Sequence, residues 1–197
     1  AARFAKAGPC SDIILQAALD GETAVAGPHL DNIAPCFYGG LTLVQDTDAL
    51  AVYKIPIQTE LWIVLITPPI KIKTMDARQV LGPQLTTAEW TKQMAHCTTL
   101  ALALARGDTQ HIPFGLIDRY AEPSRASLIP GFKIAQEHAI AAGAYGFSLS
   151  GSGPTCFAMC PTKPVAEAVG RSLLGIFGNK AQMNIVQPRS KGAEVYT

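Results

Sequence analysis

The segment "HLDN" at residues 29 to 32 gathers an imidazole, a carboxylate and an amide on a short polar stretch between apolar ones. Such a cluster can hydrogen-bond a small polar substrate. The plainer alternative is that Asp31 or Asn32 caps the helix that follows, with His29 on the surface. Glu22, seven residues before His29, can direct a carboxylate to the same region, although a lone helical glutamate is ordinarily solvated. Two arginines, Arg78 in "KTMDAR" and Arg125 in "EPSRASLIPGF", offer planar forks for a carboxylate or a phosphate. Each could equally pair at the surface with a nearby acid, Asp76 or Glu122.

A further candidate is the turn inside "GFSLSGSGPTCFAMC", residues 146 to 160. Gly146, Gly151 and Gly153 permit left-handed backbone and close approach, and Ser150, Ser152 and Thr155 add hydroxyls. Successive N–H groups in such a turn can form a concave anion site. The same residues serve a plain β-hairpin whose glycines satisfy the turn.

These residues need elements to position them. Ile13, Ile14, Ala17, Ala18 and Val25 fall at helical spacing, which predicts a helix over 11–26 with Ser11 as N-cap and Asp12 in its first turn. A loop, a short helix, Gly39-Gly40 and a strand in "LTLV" follow. "LWIVLIT" at 61–67 is a continuous apolar run suited to a strand covered on both faces. A short helix over 74–81, capped by Thr74, and a longer one over 87–106 ending at Gly107 come next. Beyond a proline-punctuated stretch, the pattern reads helix 132–142, strand 145–150, the glycine turn, strand 155–160, helix 163–177 and strand 182–187. Helices interspersed with hairpin-connected strands make this an α+β chain with helices layered on an antiparallel, ferredoxin-like sheet.

Composition narrows the function classes. With 197 residues, 48% hydrophobic and 16% charged, the chain can bury a substantial core. A formal net charge of +1, with no basic block, gives no footprint for nucleic acid or for an anionic membrane. The longest apolar run, "LWIVLITPPI", stops at a proline pair and is too short to span a bilayer. Cys10, Cys36, Cys97, Cys156 and Cys160 show no metal-ligand spacing and read as reduced thiols of a cytoplasmic protein.

Taken together, "GAYGFSLSGSGPTCFAMC" resembles the third sequence motif of the GHMP kinase superfamily, which acts on galactose, homoserine, mevalonate and phosphomevalonate. Within it, "HLDNIAPCFYGGLTLV", "IKTMDARQVL" and "AEPSRASLIPGF" are similar to the homoserine kinases. The resemblance implies transfer of the γ-phosphoryl group of ATP to the hydroxyl of L-homoserine, with Mg2+. It implies that Asp31 and Asn32 hold the hydroxyl with His29 nearby, and that Arg78 and Arg125 take the substrate carboxylate. Thr74 would lie near the transferred phosphate, Gly151, Ser152 and Gly153 would support the nucleotide-phosphate loop, and Glu22 would bind the metal. Residues 1–58 would be a remnant of an N-terminal, ribosomal-S5-like ATP-binding domain, and 59–197 the C-terminal GHMP kinase domain. A homodimer is left open. The phosphate loop of the family, P-x-x-x-G-L-G-S-S-A, has no match in residues 1–20, and "ETAVAGPH" is one residue shorter than the usual family spacing. The expectation is therefore a homoserine kinase lacking its N-terminal region. The alternatives are a kinase of the superfamily for another small alcohol, or a non-catalytic binding module derived from one.

Overall fold

The computed structural model describes residues 9–72, 77, 79–82 and 85–194. Two compact units divide the chain: residues 1–57 with 188–197, and residues 58–187. A division at residue 58 assigns the C-terminal tail to the second unit. Backbone bonds tie it to the first instead, from Gly40 N–H to Arg189 O (2.7 Å) and from Ala193 N–H to Cys36 O (2.9 Å). Lys54 Nζ adds a bond to Tyr38 O (2.7 Å) and another to Ser190 O.

The first unit holds helix α1 (Pro9–Val25), helix α2 (Ile33–Tyr38) and a hairpin of strands β1 (Leu41–Asp46) and β2 (Ala51–Ile55). Helix α1 begins at Pro9, so Ser11 is inside it and is not its N-cap. Its buried residues are Leu15 and Leu19, packed with Leu30, Ala34 and Val52. Ile13, Ile14 and Val25 are exposed. Both sets repeat at helical spacing, and the position of α2 and the hairpin decides which one is covered. Strand β2 has no counterpart in the sequence reading. Its turn is held by Asp46 Oδ1, which accepts from the N–H groups of Asp48 (2.9 Å) and Ala49 (3.0 Å), an Asx-type arrangement.

The second unit is a four-stranded antiparallel sheet built from β3 (Trp62–Thr67), β4 (Gly146–Leu149), β5 (Cys156–Cys160) and β6 (Gln182–Val186), in the order β4-β5-β3-β6. Helix α3 (Thr87–Arg106) and two short helices, α4 (Ile112–Gly115) and α5 (Ala121–Arg125), follow β3. Helix α6 (Phe132–Ala141) leads into the β4–β5 hairpin, and α7 (Lys163–Phe177) connects β5 to β6. This βαββαβ order is the ferredoxin-like arrangement that the sequence pattern predicts.

Local chemistry explains the helix limits. Thr86 and Glu89 form a capping box at the start of α3, and Gly107 closes it in a left-handed conformation. Thr162 accepts from Val165 N–H at the start of α7. Helix α7 buries Ala166, Val169, Gly170 and Leu173, and α6 buries Phe132, Ala135 and Ala139. These stripes meet Val64, Ile66, Phe147, Leu149, Cys156, Ala158 and Cys160 in one core.

Strand β3 is not covered on both faces. Val64 and Ile66 are fully buried, whereas Ile63 and Leu65 are only partly so. The strand buried at all four positions is β4. Phe147 and Leu149 face the helical core, and the 116–122 segment lies over Gly146 and Ser148 on the other side.

Candidate active site

The glycine turn joins β4 to β5 and forms the hairpin. Ser150 N–H donates to Thr155 O (2.9 Å) and Gly153 N–H to Ser150 O (3.2 Å). Gly151 and Gly153 have φ of +61° and +78°, the left-handed region that other residues rarely enter. The two glycines differ in surroundings. A Cβ on Gly153 would meet Ile129 Cδ1 at 3.3 Å, whereas one on Gly151 would have nothing within 4 Å. Gly153 therefore packs on the core while Gly151 faces open space. Below the turn, the Thr67 and Thr155 hydroxyls share a 2.8 Å hydrogen bond, fixing the loop base to the end of β3.

Arg125 is brought to this turn. Its Nε donates to Ala77 O (3.0 Å) and its Nη1 to Gly151 O (3.3 Å). Among the described residues it makes no ion pair; Thr74, Asp76 and Arg78, with half of the expected 74–81 helix, lie outside the described residues. Glu122 is occupied elsewhere. It accepts from Ser148 Oγ (2.5 Å) and Gln136 Nε2 (2.9 Å), and the same Gln136 nitrogen also donates to Phe147 O (3.0 Å). Among the described residues the Arg125 guanidinium donates to these two carbonyls, and a planar fork with five donors can also hold an anion.

Helix α5 carries Arg125 at its C-terminal end and starts at an unadvertised cap. The Asp118 carboxylate accepts from the N–H groups of Tyr120 (2.8 Å), Ala121 (2.9 Å) and Glu122 (3.1 Å). Behind it, burial first and the Glu122 carboxylate second push the Cys156 thiol up to about 12. Burial alone raises Cys160 to about 11. Both are inert core thiols, and Cys36 and Cys97 are exposed free ones.

In the first unit, α1 ends where Ala26 and Gly27 N–H groups both reach Glu22 O (2.8 and 3.2 Å). Gly27 has φ +106°, and a Cβ there would lie 3.2 Å from His29 Nε2, so the imidazole packs over this glycine. Leu30 is buried and anchors the turn, leaving His29, Asp31 and Asn32 exposed. Asn32 sits at the N-cap of α2 with φ −94° and ψ −36°, and its side chain makes no capping bond. The capping alternative is thus not used, and the amide and carboxylate remain outside the helix. Glu22, partly buried, supplies one carboxylate. No group of three His, Cys, Asp or Glu that could hold a metal exists among the described residues. A lone carboxylate fits an ion of the Mg2+ type, whose remaining ligands are phosphate oxygens and water, and does not fit a metal caged by protein.

Ser148, Gln136, Asp118 and the structural use of Glu122 escape the sequence reading. Asp118 stands in "IDRYAEPSR" as an acid just ahead of a short helix, a local signal. The Glu122–Ser148 pair spans 26 residues and has none. Elsewhere in the second unit, a cavity of about 270 Å³ is lined by Thr99, Leu102, Ala103, Arg106, Asp108 and His111, with His111 Nδ1 2.7 Å from Asp108 Oδ2.

The family model for the GHMP kinases C terminal matches residues 103–180, a span that holds the β4–β5 hairpin with its glycine turn and Arg125. The homoserine kinase of Thermococcus gammatolerans is 39% identical over 148 residues, 75% of this chain and 50% of that protein. The crystal structure of homoserine kinase from Cytophaga hutchinsonii superposes with a TM-score of 0.84 at 33% identity, covering 93% of this chain and 58% of that one. The chain is a homologue of the homoserine kinases. Mevalonate kinase of L. major, solved in complex with R-mevalonate, shares the fold at 18% identity and a TM-score of 0.66, covering 90% of this chain and 59% of that one. The chain spans about half the length of the curated relatives it matches. No helix among the described residues is long and apolar enough to cross a membrane.

Proposed function

We propose that the chain belongs to a cytoplasmic homoserine kinase that transfers the γ-phosphoryl group of ATP to the side-chain hydroxyl of L-homoserine, giving O-phospho-L-homoserine for threonine biosynthesis. The observation that carries this reading is the 39% identity to a homoserine kinase over three quarters of the chain. In this reading the unit of residues 1–57 with 188–197 derives from the ATP-binding domain, and the unit of residues 58–187 is the C-terminal domain.

In the transfer, the homoserine oxygen forms a bond to the γ-phosphorus as the bond to the bridging oxygen breaks, ADP leaves and the hydroxyl proton is lost. Such chemistry depends on in-line positioning and charge neutralisation. Asp31 and Asn32, exposed on their turn, hold the hydroxyl, with His29 beside them. The Arg125 fork takes the substrate carboxylate together with Arg78, and Thr74 lies near the transferred phosphate. Gly151, Ser152 and Gly153 support the loop that holds the nucleotide phosphates. Glu22 would hold Mg2+, which when bound neutralises phosphate charge.

Titration calorimetry of the chain with L-homoserine tests the substrate half of this reading independently of turnover. Expected is binding of L-homoserine but not of mevalonate or galactose, with affinity falling about 10- to 100-fold in Arg125→Ala, the loss for a charge-assisted bond. A chain that ignores homoserine and binds mevalonate or a sugar would refute it.

A further inference from the structure

We infer that Glu122 is a positioning residue that sets the orientation of Arg125 at the glycine turn. Helix α5 has five residues, far below the length at which a helix holds itself in water. Its pose must come from side-chain ties. Asp118 secures its N-terminal end, and Glu122 secures its body with both carboxylate oxygens. One oxygen accepts from Ser148 Oγ on β4 and the other from Gln136 Nε2 on α6. Gln136 closes the circuit by donating to Phe147 O, also on β4.

One turn further along the helix, Arg125 makes its bonds to Ala77 O and Gly151 O. Gly151 follows β4 by two residues, so the strand that Glu122 grips is the strand whose turn Arg125 touches. The clamp and the arginine thus share one frame. Ser148 is a buried polar side chain in the core, 6% exposed, and its hydroxyl donates to Glu122 Oε2. A buried hydroxyl left without that acceptor would carry the desolvation cost of an unsatisfied group. The surface role open to Glu122, a rim ion pair with Arg125, is not taken; the carboxylate acts through the strand.

This inference rests on the proposed reading of Arg125 as the carboxylate binder only for its functional consequence. The geometric part stands separately and is measured separately. In the full chain, the Arg125 Nε–H resonance, assigned by its loss in Arg125→Lys, reports the bond to Ala77 O. Expected is a resolved, slowly exchanging signal in the native chain and in Glu122→Gln, whose amide retains one acceptor for Gln136 and one donor for the Ser148 oxygen. In Glu122→Ala the signal collapses into the exchange-averaged arginine envelope. Ser148→Ala, a smaller change, shifts it in the same direction and decides the matter if Glu122→Ala does not fold. On the ligand side, Glu122→Ala weakens L-homoserine binding about 10-fold, and Glu122→Gln restores it. The Glu122→Ala penalty disappears when Arg125 is already lysine, a coupling that general loss of stability would not produce. An unchanged Arg125 signal in Glu122→Ala and Ser148→Ala, or an equal affinity loss with and without Arg125, would overturn the inference. A native chain that shows the protected signal, loses it in Glu122→Ala and binds no homoserine would sink the ligand reading and leave the positioning intact.

Discussion

At the scale of single residues, side chains of one type divide by what surrounds them. Among the described cysteines, Cys36 and Cys97 are exposed while Cys156 and Cys160 are buried. At pH 8, iodoacetamide should label Cys36 and Cys97 in the native chain and reach Cys156 and Cys160 only after unfolding. Native labelling of Cys156 would contradict the packing of β5. The same burial has a sign in pH. Folding raises these thiols from 9.0 to about 12 and about 11, so above pH 9 the unfolded chain releases protons that the native chain keeps. Their contribution to stability is complete below pH 9 and is lost as pH climbs, by about 1.4 kcal/mol per unit for each thiol, until the folded values are passed. Urea midpoints should therefore fall between pH 8.5 and 10.5, roughly in that proportion, and less steeply in Cys156→Ala. Arg125 and Glu122 make a related point. Arg125 was legible as a chemically capable residue and Glu122 only as a surface acid it could pair with, a pair the fold does not form.

At the scale of elements, periodicity and end signals account for most of the second unit. Helix α3 was legible from its apolar repeat and from Gly107, and its Thr86/Glu89 box follows the T-x-x-E pattern. Strands β3, β4, β5 and β6 and helices α6 and α7 lie within about two residues of the expected ranges. Strand β2 was missed because "AVYKI" is short and its turn lacks glycine. Glycines separate packing from propensity. Gly115 lies where a Cβ would come within 2.6 Å of the Leu100 backbone, so α4 crosses α3 closely. Gly175, at an exposed position of α7, has nothing within 4 Å. Gly115→Ala should cost about 1–3 kcal/mol from overpacking, whereas Gly175→Ala should stabilise by about 0.5–1 kcal/mol through helix propensity. Thermal melts of the two variants should move in opposite directions; equal shifts would show that α3 and α4 do not pack this tightly.

At the scale of the whole molecule, chain order and spatial grouping part company at the C-terminus, since 188–197 cluster with the first unit after the chain has completed the second. Ending the chain after Gln187 removes the Lys54–Ser190, Gly40–Arg189 and Ala193–Cys36 bonds. Hydrogen exchange should then speed up in β1, β2 and α2 and stay unchanged in β3 to β6; faster exchange across the ferredoxin-like sheet would refute the division. The sequence by itself determined the α+β class, the ferredoxin-like order of strands and helices, the glycine hairpin and the family resemblance, because period, caps and turn residues are local properties that neighbouring residues carry. Only the tertiary structure decided which face of α1 is buried, that β4 and not β3 is enclosed, that Arg125 reaches the Gly151 carbonyl, and that Glu122 grips Ser148 and Gln136. Those outcomes depend on which surfaces meet across tens of residues, and the bonds that result leave no periodic trace along the chain.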